Sequence, residues 1–250
     1  MCVLGRENQA STKEPERSCA WLRLCGMKAG ISARASRAVA RITHLANPRD
    51  EMVDLAMEFT KRSSVSGDYY EFGVFQGATF AAAVDAARRY DLTDMRFHAF
   101  DSFDGLPSPA GVDVEGFAHF AEGDYTASRQ RFDEHLLRRR VPLDRVTVTQ
   151  GWFSDTLTEA TSRRLRLTRA AVVWVDCDLY ESTVPVLSFI GPLLQDGTVI
   201  VFDDWFCFHA RPDRGEQRAV AEWLEAEPGF RMVDYRNVGW HGKAFIFHRT

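Results

Sequence analysis

No run of about 18 apolar residues occurs in the 250-residue chain, so no membrane-spanning helix is expected. The longest apolar stretch, 184–202, is broken by Pro185, Pro192, Gln195, Asp196 and Gly197. Cysteine is sparse: Cys2, Cys19, Cys25, Cys177 and Cys207 are odd in number, scattered and without a CxxC pair. That excludes a zinc knuckle and a secreted disulfide framework. The N-terminal stretch has no apolar h-region, so a signal peptide is not expected and a cytoplasmic location is. Neither sign of charge dominates. Against 35 Asp and Glu stand 31 Lys and Arg, a net charge of −4, so partnership with nucleic acid or an anionic membrane is not expected.

What is present is an ordinary globular composition, 45% hydrophobic and 26% charged, which supports a core without disulfides or structural metal. At roughly 150 residues per domain the length suits one α/β domain plus an extension. Residues 1–30 read as a flexible tail and 31–64 as an N-terminal helical extension. Its first helix, Ile31–Thr43, carries Arg34, Arg37 and Arg41 at helical spacing, a solvated face or a contact for an acidic partner. The second, Pro48–Arg62, sets Met52, Leu55, Ala56 and Phe59 on one face.

From residue 65 onward short β-branched and aromatic runs alternate with helical segments, the pattern of a mostly parallel sheet. Strands are expected at Tyr69–Val74, Arg96–Asp101, Val146–Gln150, Ala171–Asp176 and Thr198–Asp203. Helices are expected at Thr79–Tyr90, Ala127–Arg140, Asp155–Arg163, Ser182–Leu194 and Gly215–Glu227. Phe230–Tyr235 and Lys243–His248 read as an antiparallel pair at one edge.

Open α/β sheets bind ligands outside the carboxyl ends of their strands. Nearly every expected strand end here carries a carboxylate or a glycine turn. The first delivers Glu71, Gly73 and Gly77, a Glu-x-Gly-x-x-x-Gly turn that lets backbone approach a ligand and leaves helix N–H groups free. This is neither the nicotinamide Gly-x-Gly-x-x-Gly nor a Walker loop, and by itself it is equally a structural turn. Asp101 ends the second strand, where an acid can accept from a ribose diol or cap a helix. The fourth and fifth strands, Val-rich and apolar, end in Asp176, Asp178, Asp203 and Asp204. Clustered carboxylates beside buried strands call for neutralisation, which a hard divalent cation such as Mg²⁺ supplies. Independent, solvated turn acids are the alternative.

Five stretches, in order, give the chain a resemblance to a known family: Tyr70–Gly77, Ala99–Pro107, Gly151–Leu157, Asp176–Thr183 and Ile200–Trp205. Over roughly residues 65–248 it resembles the macrocin O-methyltransferase family, class I S-adenosylmethionine-dependent enzymes that methylate sugar hydroxyls of antibiotics. The resemblance implies a Rossmann-like α/β fold with a mostly parallel seven-stranded sheet and an antiparallel C-terminal edge. It implies S-adenosylmethionine and Mg²⁺ as cofactors and a small acceptor with a free hydroxyl. Carried over residue by residue, Glu71, Gly73, Gly77 and Thr79 shape the cofactor pocket. Asp101 binds the ribose beside Ser102, and Gly151, Trp152 and Phe153 lie near the adenine. Asp176, Asp203 and Asp204 match the metal ligands, with Asp176 also at the cofactor, and Asp178 matches the proposed general base. His119 is a candidate auxiliary base in the segment 108–127, where an acceptor lid is expected; His209 and His241 are weaker candidates. Cys177 reads as a packing residue, and Trp205, Phe206 and Phe208 as core or as an apolar acceptor wall. Cys177 and Trp205 depart from the family pattern, which has a small residue and a Tyr there. A homo-oligomer whose N-terminal helices cover or exchange between active sites is a further expectation. The competing readings are a catechol-type phenol O-methyltransferase and a non-catalytic S-adenosylmethionine-binding protein.

Overall fold

The computed structural model describes residues 47–114, 117 and 120–250. The expected tail, the helix at 31–43 and His119 lie outside the described residues. The first described helix, α1 (Pro48–Arg62), starts where a sequence rule puts it. The Asn47 side chain accepts from the Arg49 N–H at 3.1 Å, proline occupies the first turn, and Asp50 and Glu51 face the positive end of the dipole. Its buried residues are Met52, Val53, Ala56, Met57 and Thr60, with Leu55 and Phe59 only partly covered. The buried face is turned from the expected stripe because α1 packs against both the sheet and the next helix.

The strands follow as β1 (Asp68–Phe72), β2 (Phe97–Asp101), β3 (Val146–Gln150), β4 (Ala170–Val175), β5 (Val199–Phe202), β6 (Phe230–Val238) and β7 (Gly242–Arg249). Between them run α2 (Ala78–Arg89), α3 (Arg129–Arg138), α4 (Phe153–Thr156), α5 (Glu159–Leu165), α6 (Tyr180–Ile190) and α7 (Gly215–Ala226). The expected helix at 155–163 is two helices. The break comes at Leu157–Thr158, where the Thr158 hydroxyl accepts from the Thr161 N–H and so starts a new helix. Helix α6 begins two residues earlier than its sequence pattern indicates.

All seven strands form one sheet in the order β3-β2-β1-β4-β5-β7-β6, parallel except at β7 and β6. The C-terminal pair does not extend the sheet in chain order; β7 inserts between β5 and β6. Strands β1, β4 and β5 are buried throughout. Trp174, Phe72, Phe100 and Phe202 are wholly enclosed, each contributing on the order of 1.5–3 kcal/mol of burial. Two apolar layers result, one on each face, as a doubly covered parallel sheet requires.

The register positions the chemistry. Phe72 pairs with Phe100 and Val175, and Val175 with Phe202. The next residues, Gly73, Asp176 and Asp203, therefore leave the sheet side by side, each N–H bonded to the carbonyl of the preceding level on a neighbouring strand at 2.9 Å.

Candidate active site

A cavity of about 530 Å³ opens at the carboxyl ends of β1, β2, β4 and β5. Its first wall is the β1–α2 turn. Gly73 sits at φ +83°, and a Cβ there would overlap the carbonyl oxygen of Asp176. Only glycine lets the two strand ends come so close. Gly77 (φ +81°) ends the turn, and a Cβ on it would press into the Phe132 ring at 2.8 Å. It shapes the turn from behind, while Gly73, Val74, Phe75 and Thr79 line the cavity. Helix α2 has no side-chain cap at its N-terminus, so its first N–H groups are available to an anionic group of a ligand.

Asp101 organises this turn. Its Oδ2 accepts from Val74 N–H at 2.7 Å and Phe75 N–H at 3.0 Å, and its Oδ1 from Phe103 N–H at 2.6 Å. A carboxylate has about four acceptor sites, so one stays open toward the cavity. Burial raises its pKa, and the three N–H groups oppose that rise. Ser102 holds the following turn, donating to the Gly105 carbonyl and accepting from Asp104 N–H. Glu71 lies buried beneath, bonded to the Tyr69 hydroxyl, with its pKa driven well up by desolvation. Gly151, the half-exposed Trp152 and Phe153 form the far wall, and Phe153 meets Phe72 edge-on at 6.1 Å.

The opposite wall is acidic. Oxygens of Asp176, Asp178 and Asp204 lie within 4.8 Å of one another. Asp178 and Asp204 are buried, and Asp204 Oδ2 has no hydrogen-bond partner. Desolvation, then the neighbouring carboxylates, push Asp176 and Asp178 well above the usual range and Asp204 to about 7. An orphaned buried oxygen among three converging carboxylates fits a hard, oxygen-seeking divalent cation.

Asp203, wholly enclosed, is placed differently. Arg49 from α1 donates Nε to Oδ1 at 2.9 Å and to Oδ2 at 3.0 Å, and Nη2 also reaches Oδ2. The structure groups Asp203 with Asp204 and His241, whose Nδ1 lies 2.6 Å from the Asp203 carbonyl oxygen. Asp203 itself is not on the cavity wall, whereas Arg49 is. His209 is exposed and away from the cavity. Cys177 is buried on the cavity wall with its thiol 3.6 Å from the Phe72 carbonyl, and burial raises its pKa.

Three participants carried no sequence signal. Arg49 meets Asp203 from 154 residues away. Glu216 at the start of α7 accepts the Asp204 N–H at 3.0 Å, though in sequence it resembles any first-turn acid. Tyr125 faces the cavity, its pKa raised by burial and by the charges of Asp178 and Asp204.

Glycine turn, acid-terminated β2 and paired acidic strand ends thus surround one cavity. The macrocin O-methyltransferase (TylF) family matches residues 36–240. The chain belongs to the macrocin O-methyltransferase family. A relative from Streptomyces olivaceus, 8-demethyl-8-(2,3-dimethoxy-alpha-L-rhamnosyl)-tetracenomycin-C 4'-O-methyltransferase, is 30% identical over 161 residues, covering 63% of this chain and 60% of the relative. Mycinamicin III 3''-O-methyltransferase of Micromonospora griseorubida is 29% identical over 155 residues, 60% of this chain and 59% of that one. The chain thus spans about three fifths of the length of the curated relatives it matches. Among solved structures, the O-methyltransferase NovP superposes with a TM-score of 0.66 at 23% identity, over 81% of this chain and 80% of that one. The calicheamicin methyltransferase CalS11 gives 0.63 at 20%, over 97% and 98%. These likenesses show the fold, that of a Rossmann-like class I methyltransferase. Among the described residues no helix is long and apolar enough to cross a membrane.

Proposed function

We propose that this member of the macrocin O-methyltransferase family transfers the methyl group of S-adenosylmethionine to a sugar hydroxyl of a small natural product, with Mg²⁺ at the acidic wall. The observation that carries this reading is the orphaned oxygen of Asp204 among the carboxylates of Asp176 and Asp178, facing an uncapped helix N-terminus across one cavity. The rhamnosyl group in the name of the Streptomyces olivaceus relative supports a sugar acceptor.

In this reading Asp101 offers its open acceptor site to the ribose, and the N-terminus of α2 holds the carboxylate of the cofactor. Glu71, Gly73, Thr79 and Ser102 shape the pocket, and Gly151, Trp152 and Phe153 flank the adenine. Gly77 keeps the turn in register from beneath. S-adenosylmethionine supplies an electrophilic methyl group on a positive sulfur. When bound, it would give up its methyl carbon to the acceptor oxygen, the electron pair of the broken carbon–sulfur bond leaving on sulfur. Asp178 takes the hydroxyl proton. Asp176 and Asp204, beside Asp178, would hold Mg²⁺, with Asp203 behind them in the grip of Arg49, and the ion would supply acidification of the hydroxyl. Much of the remaining catalysis is positioning, since in-line displacement requires the oxygen about 3 Å from the methyl carbon.

Calorimetric titration of S-adenosylhomocysteine, with and without Mg²⁺, tests this on the wild-type chain and on Asp101→Ala and Asp204→Ala. Micromolar binding that is lost in Asp101→Ala and kept in Asp204→Ala, with Mg²⁺ binding lost in the latter, is expected. Failure of the wild-type chain to bind S-adenosylhomocysteine in any condition would overturn the reading.

A further inference from the structure

Asp113 is a buried acid in an otherwise largely exposed stretch, only 4% accessible. It ends the short 3-10 turn Gly111–Asp113. Its carboxylate is committed to a helix 67 residues away: Oδ1 accepts from Tyr180 N–H at 3.0 Å, and Oδ2 from Glu181 N–H at 3.1 Å. These are two of the unpaired donors at the start of α6, whose own cap residue, Leu179, offers no side-chain acceptor. The cap that α1, α3 and α5 take from the residue just before them comes here from a distant loop.

What precedes that cap is the turn bearing Asp176 and Asp178. Asp178 sits at φ +62°, a left-handed conformation uncommon outside glycine, and Leu179 N–H closes on the Cys177 carbonyl at 2.6 Å. A residue in that region persists only where its surroundings over-determine it. A small apolar cluster adds a second tie: Phe120 and Leu106 pack with Leu179, Cys207 and Phe208. Cys207 and Phe208 follow Asp204, and the Cys207 thiol lies 3.3 Å from Asp204 Oδ1. Asp113, Leu106 and Phe120 are thus tied to the turns that carry both groups of acids.

We propose that Asp113 is a positioning residue, clamping the N-terminus of α6 so that the strained turn before it presents Asp176 and Asp178 to the cavity. The inference rests on the methyltransferase reading for the purpose of that turn. The contact itself does not depend on it.

Hydrogen exchange by mass spectrometry on Asp113→Ala and Asp113→Asn, with Mn²⁺ binding followed by electron paramagnetic resonance, tests the assignment. In Asp113→Ala the amides of Tyr180, Glu181 and Leu179 are expected to exchange at least tenfold faster. Mn²⁺ affinity falls at least fivefold, and S-adenosylhomocysteine affinity stays within twofold of wild type, because its pocket lies on the β1–β2 side. Asp113→Asn keeps one acceptor oxygen and gives intermediate values; it decides the matter if the alanine variant does not fold. Unchanged exchange at Tyr180 and Glu181 would overturn the clamp. Faster exchange there with Leu179 and Mn²⁺ binding unchanged would reduce Asp113 to an ordinary cap and overturn the positioning role. If the wild-type chain binds no Mn²⁺, the metal reading fails separately, and the Leu179 amide alone decides for or against Asp113.

Discussion

Arg49 grips both carboxylate oxygens of Asp203, joining the first turn of α1 to the end of β5. The carboxylate is wholly enclosed while the Arg49 side chain is 41% exposed. Removing Arg49 leaves a buried charge without its partner. Arg49→Met is expected to cost about 1–2 kcal/mol in the metal-free protein, less than the roughly 3–5 kcal/mol of a fully buried pair because solvent screens the exposed partner. Denaturant unfolding with and without Mg²⁺ checks it. The loss should shrink when Mg²⁺ is present, and an equal loss in both conditions would detach Arg49 from the acidic cluster.

The close approach of Gly73 to Asp176 gives a second expectation. Alanine at this position meets both a positive φ and the Asp176 carbonyl, so strand ends must separate. Gly73→Ala should lower the melting temperature by several degrees and weaken S-adenosylhomocysteine binding by at least tenfold. A variant that binds like wild type would show that the turn tolerates a wider gap than the structure has.

Glu216 allows a paired test. Its Oε2 accepts the buried Asp204 N–H, while Oε1 has no partner. Glu216→Ala strands that N–H and should cost about 1–3 kcal/mol. Glu216→Gln keeps an acceptor and removes one like charge, so its stability should equal or exceed wild type. Equal losses in the two variants would assign the role of Glu216 to its charge instead of its acceptor.

The pH dependence of stability follows from the raised carboxylates. Asp204 titrates at about 7 in the folded chain against an ordinary 3.8, and Asp176, Asp178 and Glu216 shift in the same direction. The folded state therefore holds more protons than the unfolded one between those limits. Stability from these groups is fully present below the ordinary carboxylate range and is lost as pH rises through about 7. The metal-free protein should melt several degrees lower at pH 8 than at pH 5.5, and Asp204→Asn should flatten the slope. A melting temperature that climbs over this interval in the absence of metal would contradict the assignment.

Much of the fold was legible because its signals are local. Continuous apolar runs such as Ala171–Val175 mark strands buried on both faces, and Asn47-Pro48 marks the start of α1. Helix periodicity between the strands then specifies a parallel, doubly covered sheet. Where local signals failed, the cause was contact with something distant. The start of α6 depends on Asp113, which carries no mark in the sequence, and the buried face of α1 depends on two packing partners. The split between α4 and α5 was visible in principle, since Thr158 is an ordinary cap residue.

For the site, the residue types at the strand ends were determined by the sequence alone: the glycine turn after β1, Asp101 after β2, and the acids after β4 and β5. A parallel sheet carries every such end to one edge, so their gathering follows from the strand pattern itself. Which acids converge is another matter. Strand register set Gly73 against Asp176, and packing of α1 put Arg49 on Asp203, leaving Asp176, Asp178 and Asp204 to share the cavity wall. Those pairings join residues far apart in the chain, and only the folded chain brings them within hydrogen-bonding range.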